Sequence, residues 1–275
     1  MSLISELKHE SKIIRASILE ALYASGGGHY GGALSIVDIL VVLYRCILNR
    51  SIHPARKYDR DHLILSKGHA AIALYAVLKH IGILNKFDLA GYGKCQTGLE
   101  GHPDMTQTPG IDFSTGSLGQ GLGIGLGMAV ALRNKNRSVW VILGDGECEE
   151  GQVWEAAMLA ARLKITNLFA VIDINGAQEF GWTYDKSVDQ EPCPNLKKKW
   201  NAFGWDTIEV DGHNHDDIRK KFTSKHTERP SVFLARTRKG KSVRTIEEQI
   251  KRFHCTSVTK EEYDEIKKQL LCSHD

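Results

Sequence analysis

Two short polar segments, each following an apolar run, carry the residues best suited to chemistry. Asp145 lies between Gly144 and Gly146 after SVWVIL, and Asn175 follows LFAVIDI. A carboxylate and an amide oxygen, together with the Ala177 carbonyl, are hard ligands that Mg²⁺ binds alongside phosphate oxygens and water. The glycines beside Asp145 let the backbone approach a diphosphate, and the N-terminus of a following helix attracts anions. These residues therefore predict a site for magnesium and a diphosphate.

The elements that position these groups are predicted to form a βαβ unit. SVWVIL and LFAVIDI are continuous apolar runs, typical of parallel strands covered on both faces. The helix between them carries four apolar residues on one face, Val153, Ala156, Ala160 and Leu163. Neighbouring parallel strands lie ~4.8 Å apart, and open sheets bind ligands outside the carboxyl ends of their strands. Asp145 and Asn175 are therefore expected to point at one ion.

The predicted start of that helix is acidic. It carries three carboxylates, Glu147, Glu149 and Glu150. Because like charges repel, an anion at this helix end would need the metal as intermediary.

Further segments extend the βαβ unit into a doubly wound sheet. DHLILS, DTIEV and SVFLAR are predicted strands, and ELKHESKIIRASILEALYAS, SIVDILVVLYRCIL and AAIALYAVLKHIGI are predicted helices. Residues 91–112 have no period and predict a long irregular connection. Six glycines from Gly116 to Gly127 are expected to precede a helix, where bare backbone serves either a ligand or close packing. The predicted fold class is α/β, with a doubly wound, mainly parallel sheet flanked by helices.

Three histidines, His29, His69 and His102, lie in glycine-containing breaks beside predicted element ends. Because folds present catalytic side chains at such places, we expect these histidines to be functional. His213 and His215 form a His-x-His pair without a third ligand nearby, which favours a turn and helix cap over a metal site. The loop GGGHYGG contains GxGxxG but follows a helix, whereas dinucleotide-binding loops follow a strand.

Composition excludes several classes of protein. The 275 residues are 42% hydrophobic and 25% charged, which excludes disordered, collagen-like and coiled-coil chains. With 36 Lys and Arg against 33 Asp and Glu, the net charge of +3 predicts no nucleic-acid or anionic-lipid partner. The six cysteines form no CxxC pair and are expected to be free thiols in a reducing cytosol. We find no secretory signal and no window near ~18 apolar residues, so we expect a cytoplasmic protein without a membrane span.

Longer blocks of the chain resemble one known family. The segment from GDGECEEG to IDIN resembles the thiamin diphosphate motif, GDG with a later Asn, and 28 residues lie between Gly146 and Asn175. SGGGHYGGALS, LSKGHAAIALYA, LEGHPD, DFSTGSLGQGLGIGLGMA and WDTIEVDGHNHDDI resemble, in order, the blocks of the amino-terminal half of the transketolase family. Together the blocks cover most of residues 10–240. The chain is similar to the N-terminal subunit of a two-chain transketolase, which implies a thiamin diphosphate-binding fold of the diphosphate-binding (PP) type.

The resemblance implies which residues hold thiamin diphosphate and its Mg²⁺. The metal would be bound by Asp145, Asn175 and the Ala177 carbonyl. The diphosphate would contact His69, and Asn175 would serve cofactor and metal alike. The other cofactor contacts lie in two glycine-containing blocks, namely Gly116, Ser117 and Leu118 beside the aminopyrimidine and thiazolium, and Gly144 and Gly146 beside the diphosphate.

The resemblance also implies four catalytic histidines, His29, His69, His102 and His254. His29 and His102 would handle substrate hydroxyls and proton transfer, for which neutral imidazoles with a pKa of ~6.5 are suited. His254 lies where the family often has His-Gly, with Cys255 in place of the glycine. Glu150 and Glu155 match acidic residues that face the partner chain in the family.

These features predict an enzyme subunit that is inactive alone. In the family, the activating glutamate lies on a pyrimidine-binding domain, and nothing similar follows Lys239. We expect residues 1–240 to form the thiamin diphosphate-binding domain and residues 241–275 a helical tail of the same domain. With a C-terminal partner subunit, in an α2β2 heterotetramer, the chain would transfer a two-carbon ketol unit between sugars or sugar phosphates. The alternatives are a subunit of a 2-oxo acid dehydrogenase or acyloin-forming enzyme, and a non-catalytic scaffold subunit.

Overall fold

The computed structural model describes residues 2–50, 59–178, 193–224 and 228–273. The strands of these residues are β1 (His62–Leu65), β2 (Val139–Gly144), β3 (Leu168–Ile174), β4 (Asp206–Asp211) and β5 (Ser231–Arg236). They form one parallel sheet in the order β1-β2-β3-β5-β4. This arrangement confirms the predicted α/β fold with a doubly wound, parallel sheet.

Helices flank the sheet on both faces. The α-helices of the described residues are α1 (Leu3–Ala24), α2 (Tyr30–Ser35), α3 (Val37–Val42), α4 (Ala71–His80), α5 (Gln120–Ala131), α6 (Gly151–Arg162), α7 (Leu196–Ala202), α8 (His215–Phe222), α9 (Arg244–Glu248) and α10 (Lys260–Cys272). A π-helical turn, Leu43–Ile47, continues α3, and 3₁₀ turns span Gly68–Ala70, Leu89–Gly91 and Gly146–Glu149. The predicted irregular connection therefore begins at the end of a 3₁₀ turn and precedes α5.

Alternate residues of β2 explain why the sheet separates two cores. Trp140 and Ile142 pack with α1, α3, α4, α8 and α10, whereas Val141 packs with α5, α6 and α7. Successive side chains of a strand point to opposite faces, so a strand covered on both faces is apolar at every position. All six residues of β2 are buried, as the continuous apolar run predicts.

The last helix packs against the first one. Thr259 and Glu262 form a capping box at the start of α10, in which each side chain binds the backbone N–H of the other residue. Tyr263 of α10 stacks on Tyr23 of α1 with ring centroids 4.2 Å apart. Ile266 and Leu270 are buried in the same core as α1. Residues after β5 thus share the core that α1 covers and bury no separate one.

The glycine-rich segment differs from its prediction. Helix α5 begins at Gln120, so four of the six glycines lie inside the helix and do not precede it. A Cβ atom at Gly121 would overlap Ser66 Oγ, and one at Gly125 would lie 2.5 Å from Val141 Cγ2. The missing side chains let α5 lie directly on the sheet, so close packing explains these two glycines.

The segment after Asp145 also differs from its prediction. It forms a 3₁₀ turn, and α6 begins only at Gly151 with Glu150 as its N-cap residue. Leu163, predicted to share the buried face of this helix, is the C-cap residue and is 38% exposed. Val153, Ala156 and Ala160 are buried as predicted.

Two further findings concern membrane-spanning helices and cysteines. Among the described residues, no helix combines the length and the apolar character that crossing a bilayer requires. All six cysteines are free, as the absence of CxxC pairs predicts.

Candidate cofactor and active site

A cavity of about 460 Å³ lies at the carboxyl ends of the strands. Eleven of the twelve residues predicted as site residues line it: His29, His69, His102, Gly116, Leu118, Gly144, Asp145, Gly146, Asn175, Ala177 and His254. Ser117, the twelfth, is outside this lining. The fold thus brings together residues from widely separated parts of the chain.

Asp145 and Asn175 lie at the tips of two paired strands, as predicted. Gly144 of β2 is the register partner of Asp173 of β3, and Asp145 and Asn175 follow these residues at the same edge of the sheet. Asp145 is 2% exposed and accepts hydrogen bonds from the backbone N–H groups of Gly146, at 2.9 Å, and Gly176, at 2.7 Å. Burial, followed by the negative charge of Asp173, raises the pKa of Asp145 to about 7. This carboxylate lies in a place where a cation would stabilise its charged form.

Asp173 orients the side chains around it. Its carboxylate accepts hydrogen bonds from Lys67 Nζ at 2.5 Å, Ser35 Oγ at 2.8 Å and Asn175 Nδ2 at 2.8 Å. Burial alone would raise the pKa of Asp173, but the charge of Lys67 and these hydrogen bonds hold it below its usual value. The amide N–H of Asn175 donates to Asp173, so the amide oxygen Oδ1 points away from Asp173. Oδ1 accepts a hydrogen bond from Ala177 N–H at 3.2 Å.

Three of the predicted histidines form a cluster. The ring centroid of His29 lies 5.1 Å from that of His69 and 5.7 Å from that of His254, and the last two are 6.0 Å apart. Burial is the main cause that lowers the pKa of His29 and of His254 to about 4, and that of His69 well below its usual value. The positive charges of Lys67 and Lys239 act in the same direction. The three imidazoles are therefore neutral at pH 7, with pKa values further from neutrality than the sequence predicts.

His102 also lines the cavity, next to the glycine-rich segment, and its electrostatic effect on His29 is second only to burial in lowering the pKa of His29. A Cβ atom at Gly116 would lie 3.3 Å from Cγ and Cδ2 of His102, so the imidazole rests against bare backbone. Tyr75 holds this loop, because its hydroxyl donates to the carbonyls of Glu100 and His102, each at 3.1 Å.

Two lysines of the cavity are missing from the predicted site residues. Lys67 is 1% exposed and pairs with Asp173, and Lys239 is 4% exposed with its Nζ 2.8 Å from His254 Nδ1. A lysine ammonium only donates, so His254 Nδ1 accepts this hydrogen bond and its proton lies on Nε2. The available signal is position, because both lysines follow within three residues of a predicted strand. The rule that selects Asp145 would also select them.

Glu147 also lines the cavity, in a setting that differs from the prediction. The sequence places it at the start of a helix, where it would oppose an anion, but it lies in the 3₁₀ turn and is 3% exposed. Its carboxylate accepts hydrogen bonds from the Ser66 hydroxyl, Gly119 N–H at 2.9 Å and Gly144 N–H at 3.0 Å. Glu147 thus joins the ends of β1 and β2 to the start of α5.

The loop GGGHYGG frames one wall of the cavity. Gly28 forms two backbone hydrogen bonds with Thr256, which brings the His254 segment beside His29. A Cβ atom at Gly31 would lie 2.6 Å from Lys239 Cγ, and one at Gly32 would lie 3.3 Å from His69 Nε2. The loop therefore contacts several residues of the cavity. It follows α1 and not a strand, so it differs from a dinucleotide-binding loop, as the sequence predicts.

His213 and His215 lie outside this cavity. Asn214 caps α8 by accepting hydrogen bonds from the N–H groups of Asp216 and Asp217, as the predicted turn and helix cap requires. His213 Nδ1 lies 2.8 Å from Asp38 Oδ2, and His215 Nε2 lies 2.9 Å from Ser11 Oγ. Among the described residues, no group of three His, Cys, Asp or Glu side chains is arranged to hold a metal ion.

Comparison with known proteins identifies the family. The family model described as transketolase, thiamine diphosphate binding domain, matches residues 7–274. The 6-deoxy-6-sulfo-D-fructose transketolase subunit SqwG of Clostridium sp. strain MSTE9 is 38% identical over 240 residues, which cover 86% of each chain. An apulose-4-phosphate transketolase subunit of Phocaeicola vulgatus is 34% identical over 266 residues, covering 95% of this chain and 92% of that protein. Human transketolase is 34% identical over 249 residues, but these cover only 39% of its length.

Solved structures agree with this result. The transketolase of Campylobacter jejuni has a TM-score of 0.85 and 26% identity, covering 98% of this chain and 43% of that one. The transketolase from Leishmania mexicana has the same fold, with a TM-score of 0.84 and 24% identity, and 41% of its chain is covered. The chain thus spans about two fifths of these solved transketolases. The comparisons support the transketolase prediction and lend no support to an oxo-acid dehydrogenase, acyloin-forming or scaffold subunit. The chain belongs to the transketolase family, in which it corresponds to the thiamine diphosphate binding domain.

Proposed function

We propose that this chain is the N-terminal subunit of a thiamin diphosphate-dependent transketolase, which moves a two-carbon ketol unit from a ketose to an aldose. The observation that carries the proposal is the cavity in which the tips of β2 and β3 face a cluster of neutral histidines. Two relatives named as transketolase subunits match this chain over 86% and 92% of their own lengths. A separate C-terminal subunit would supply the pyrimidine-binding domain.

Asp145, Asn175 and the Ala177 carbonyl would bind Mg²⁺. The fit rests on Asp145, a buried carboxylate whose contacts are backbone N–H groups and whose pKa is raised by burial and by Asp173. Asn175 fits because its amide nitrogen is held by Asp173, which leaves the oxygen as the ligand atom. A hard cation with oxygen ligands completes such a set with diphosphate oxygens and water.

Lys239, His69 and Gly146 would hold the diphosphate. Lys239 lines the cavity and brings a positive charge next to the histidine cluster. Gly146 lines the cavity and has no side chain to cover its backbone. A diphosphate can therefore approach the backbone there. Gly116, Ser117 and Leu118 would contact the organic rings of the cofactor, with Ser117 at the open edge.

Thiamin diphosphate, when bound, supplies a thiazolium carbon that accepts the two-carbon unit. The histidines of this chain would then move protons at the hydroxyl oxygens of the sugar. His29 is neutral at pH 7 and its ring has no hydrogen-bond partner among the described residues, so its lone pair can accept a proton. His254 accepts from Lys239 at Nδ1 and would present its Nε2–H to a substrate oxygen. His102 lines the same cavity and would act beside His29.

We propose an α2β2 assembly with a cofactor at each interface. Its support is the surface of α6, where Met158 is 53% and Leu159 is 47% exposed, beside exposed Glu155. Exposed apolar residues that adjoin one another are typical of a surface that a partner covers. Glu150 and Glu155 would face this partner. A cytoplasmic location remains a prediction from the sequence.

We also propose that residues 1–240 form the cofactor domain and that residues 241–275 are its helical tail. The support is that α10 buries Ile266 and Leu270 in the core shared with α1. His254 lies in this tail and lines the cavity, so the tail contributes to the site.

The decisive experiment compares three samples in a ketol-transfer assay with thiamin diphosphate and Mg²⁺. These are this chain by itself, the candidate C-terminal partner by itself, and their mixture. We expect turnover only in the mixture, because each protein holds part of the site. The donor panel should include a 6-deoxy-6-sulfo ketose and a ketose 4-phosphate, the sugar types named for two relatives. Robust transfer by this chain by itself would contradict the split site, and a mixture that binds no thiamin diphosphate would favour a non-catalytic role.

A further inference from the structure

A second cavity, of about 90 Å³, lies between α1, the turn before α8 and the segment after β5. We call it the α1 cavity. It shares no lining residue with the cavity of about 460 Å³ at the ends of the strands, which we call the cofactor cavity. Four cationic side chains and one carboxylate line it, namely Lys8, Lys12, Arg15, Lys241 and Asp38. Three of the cations lie on α1, and the fold adds Lys241 from the segment after β5.

The carboxylate of the α1 cavity is satisfied within the protein. Arg15 donates two hydrogen bonds to Asp38, at 2.9 and 2.7 Å, and the two side chains are 3% and 2% exposed. His213 Nε2 accepts from Arg238 N–H at 2.8 Å, so the ring proton lies on Nδ1 and is donated to Asp38. Burial alone would raise the pKa of Asp38, but Arg15 and His213 hold it well below its usual value. Asp38 is therefore engaged by Arg15 and His213, and does not neutralise Lys8 or Lys12.

The α1 side of the cavity is short of acceptors. Among the described residues, Lys8 has no ion-pair partner, and Lys12 Nζ donates to the backbone carbonyls of Leu271 and Ser273, at 2.8 and 2.9 Å. A buried donor nearby, Arg15 Nε, also has no hydrogen-bond partner in the described part of the chain. Buried donors without partners are destabilising, and a bound anion adds acceptors where they are missing.

We propose that the α1 cavity binds a small tetrahedral oxyanion with two charges, as in inorganic phosphate or a phosphate monoester. Its size agrees, because ~10 to 15 Å³ of such space holds one water molecule and the cavity therefore admits a five-atom ion. Its chemistry agrees as well, because lysine ammonium groups and the Ser11 hydroxyl are donors that bind phosphate oxygens. Lys8 and Lys12 lie one helical turn apart on α1, so both can reach one ion.

The test is a calorimetric titration of the full chain with inorganic phosphate, at constant ionic strength set with chloride. Lys8→Glu is the test variant, because Lys8 is exposed and its replacement leaves the core intact. We expect its Kd for phosphate to rise by about tenfold or more, since one positive charge beside a doubly charged ion is reversed. Lys135→Glu is the matched control, because Lys135 is exposed after α5 on the other side of the sheet. Its Kd should stay within about twofold of the wild-type value.

Further arms locate the ion. Glycerol 3-phosphate replaces inorganic phosphate in one titration, and loss of its binding in Lys8→Glu would show that the cavity accepts the esterified group as well. Lys239→Ala removes a cation of the cofactor cavity. If the Lys239→Ala variant loses phosphate binding and the Lys8→Glu variant keeps it, the proposal is wrong. A wild-type chain that binds no phosphate in this titration would overturn it as well.

Discussion

Two buried carboxylates at the strand tips differ in what neutralises them. Asp173 is paired with Lys67 and accepts three further hydrogen bonds, so its charge is balanced within the protein. Asp145 accepts its hydrogen bonds from the N–H groups of Gly146 and Gly176. A buried charge without a counter-charge is strongly destabilising. This difference is the residue-level reason to assign the ligand cation to Asp145 and a structural role to Asp173.

We expect Asp145→Ala to weaken Mg²⁺-dependent binding of thiamin diphosphate by about 100-fold or more, because the metal loses its carboxylate ligand. The same change should raise the free energy of unfolding of the cofactor-free chain at pH 8, because an unbalanced buried charge is removed. Titration calorimetry measures the first effect and urea denaturation the second.

Asp264→Ala is the control for that variant. Asp264 is an exposed carboxylate on α10, paired with Lys260, and its loss should change neither quantity by much. Unchanged cofactor affinity in Asp145→Ala would refute the metal assignment. A loss of both affinity and stability would indicate general damage to the fold.

We expect His29→Ala to lower kcat by about 100-fold or more, with little change in the Kd of thiamin diphosphate. The reason is that in the proposed function its neutral imidazole, beside His69 and His254, would accept a proton from the substrate. Steady-state kinetics of the reconstituted enzyme checks this. His9→Ala, at an exposed position of α1, is the control, and normal turnover in His29→Ala would return His29 to a structural role.

Among the elements, α5 shows how a helix depends on missing side chains. Gly121 lies on Ser66, whose hydroxyl donates to Glu147, and Glu147 binds the backbone of Gly119 and Gly144. The contact between α5 and the sheet therefore also sets the position of the β2 tip.

We expect Gly121→Ala to lower the free energy of unfolding by about 1 to 3 kcal/mol, because the new methyl group would overlap Ser66. Gly127→Ala on the same helix should instead raise it by about 0.5 to 1 kcal/mol, because Gly127 faces open space and alanine favours helix. Urea denaturation of both variants measures these changes. Equal effects of the two substitutions would contradict close packing as the reason for Gly121.

At the scale of the whole molecule, the cofactor cavity makes stability depend on pH. The pKa values of His29, His69 and His254 are lowered in the folded chain, so the unfolded chain binds protons first as the pH falls below ~6.5. Their contribution to stability is therefore complete above pH ~6.5 and is lost as the pH falls toward 4. When the pH is lowered from 7.5 to 5.0, the urea concentration at the unfolding midpoint should decrease. We expect this decrease to be smaller in His29→Gln than in the wild type.

The slope of the urea midpoint against pH is compared between the two proteins. The difference between these slopes isolates His29, because other titrating groups such as Asp145 affect both proteins alike. His9→Gln, which removes an exposed histidine, should give the wild-type slope. Identical slopes for the wild type and His29→Gln would contradict the burial of a neutral His29 in the cavity.

The whole chain also shows why the prediction of the fold succeeded. The central strands β2 and β3 are continuous apolar runs, and such runs predict parallel strands covered on both faces. The start of α6 and the course of α5 differ from their predictions. For α5 the reason is that glycines are compatible with loops and with helices, and only the contacts of Gly121 and Gly125 with the sheet decide between the two.

The sequence by itself determined which polar residues lie at the ends of β2 and β3, because Asp145 and Asn175 follow two runs that the βαβ pattern makes neighbours. It also determined the family, through blocks of residues whose order is far more specific than any one of them. The tertiary structure alone decided that Lys67 and Lys239 share a cavity with His254, and that Glu147 is buried. These contacts join segments that are far apart in the chain, and they depend on the order in which strands pair and helices cover them. Local patterns predict that β2 and β3 are neighbours but do not give the order of the other strands, so charge balance inside the molecule becomes visible only once the chain is folded.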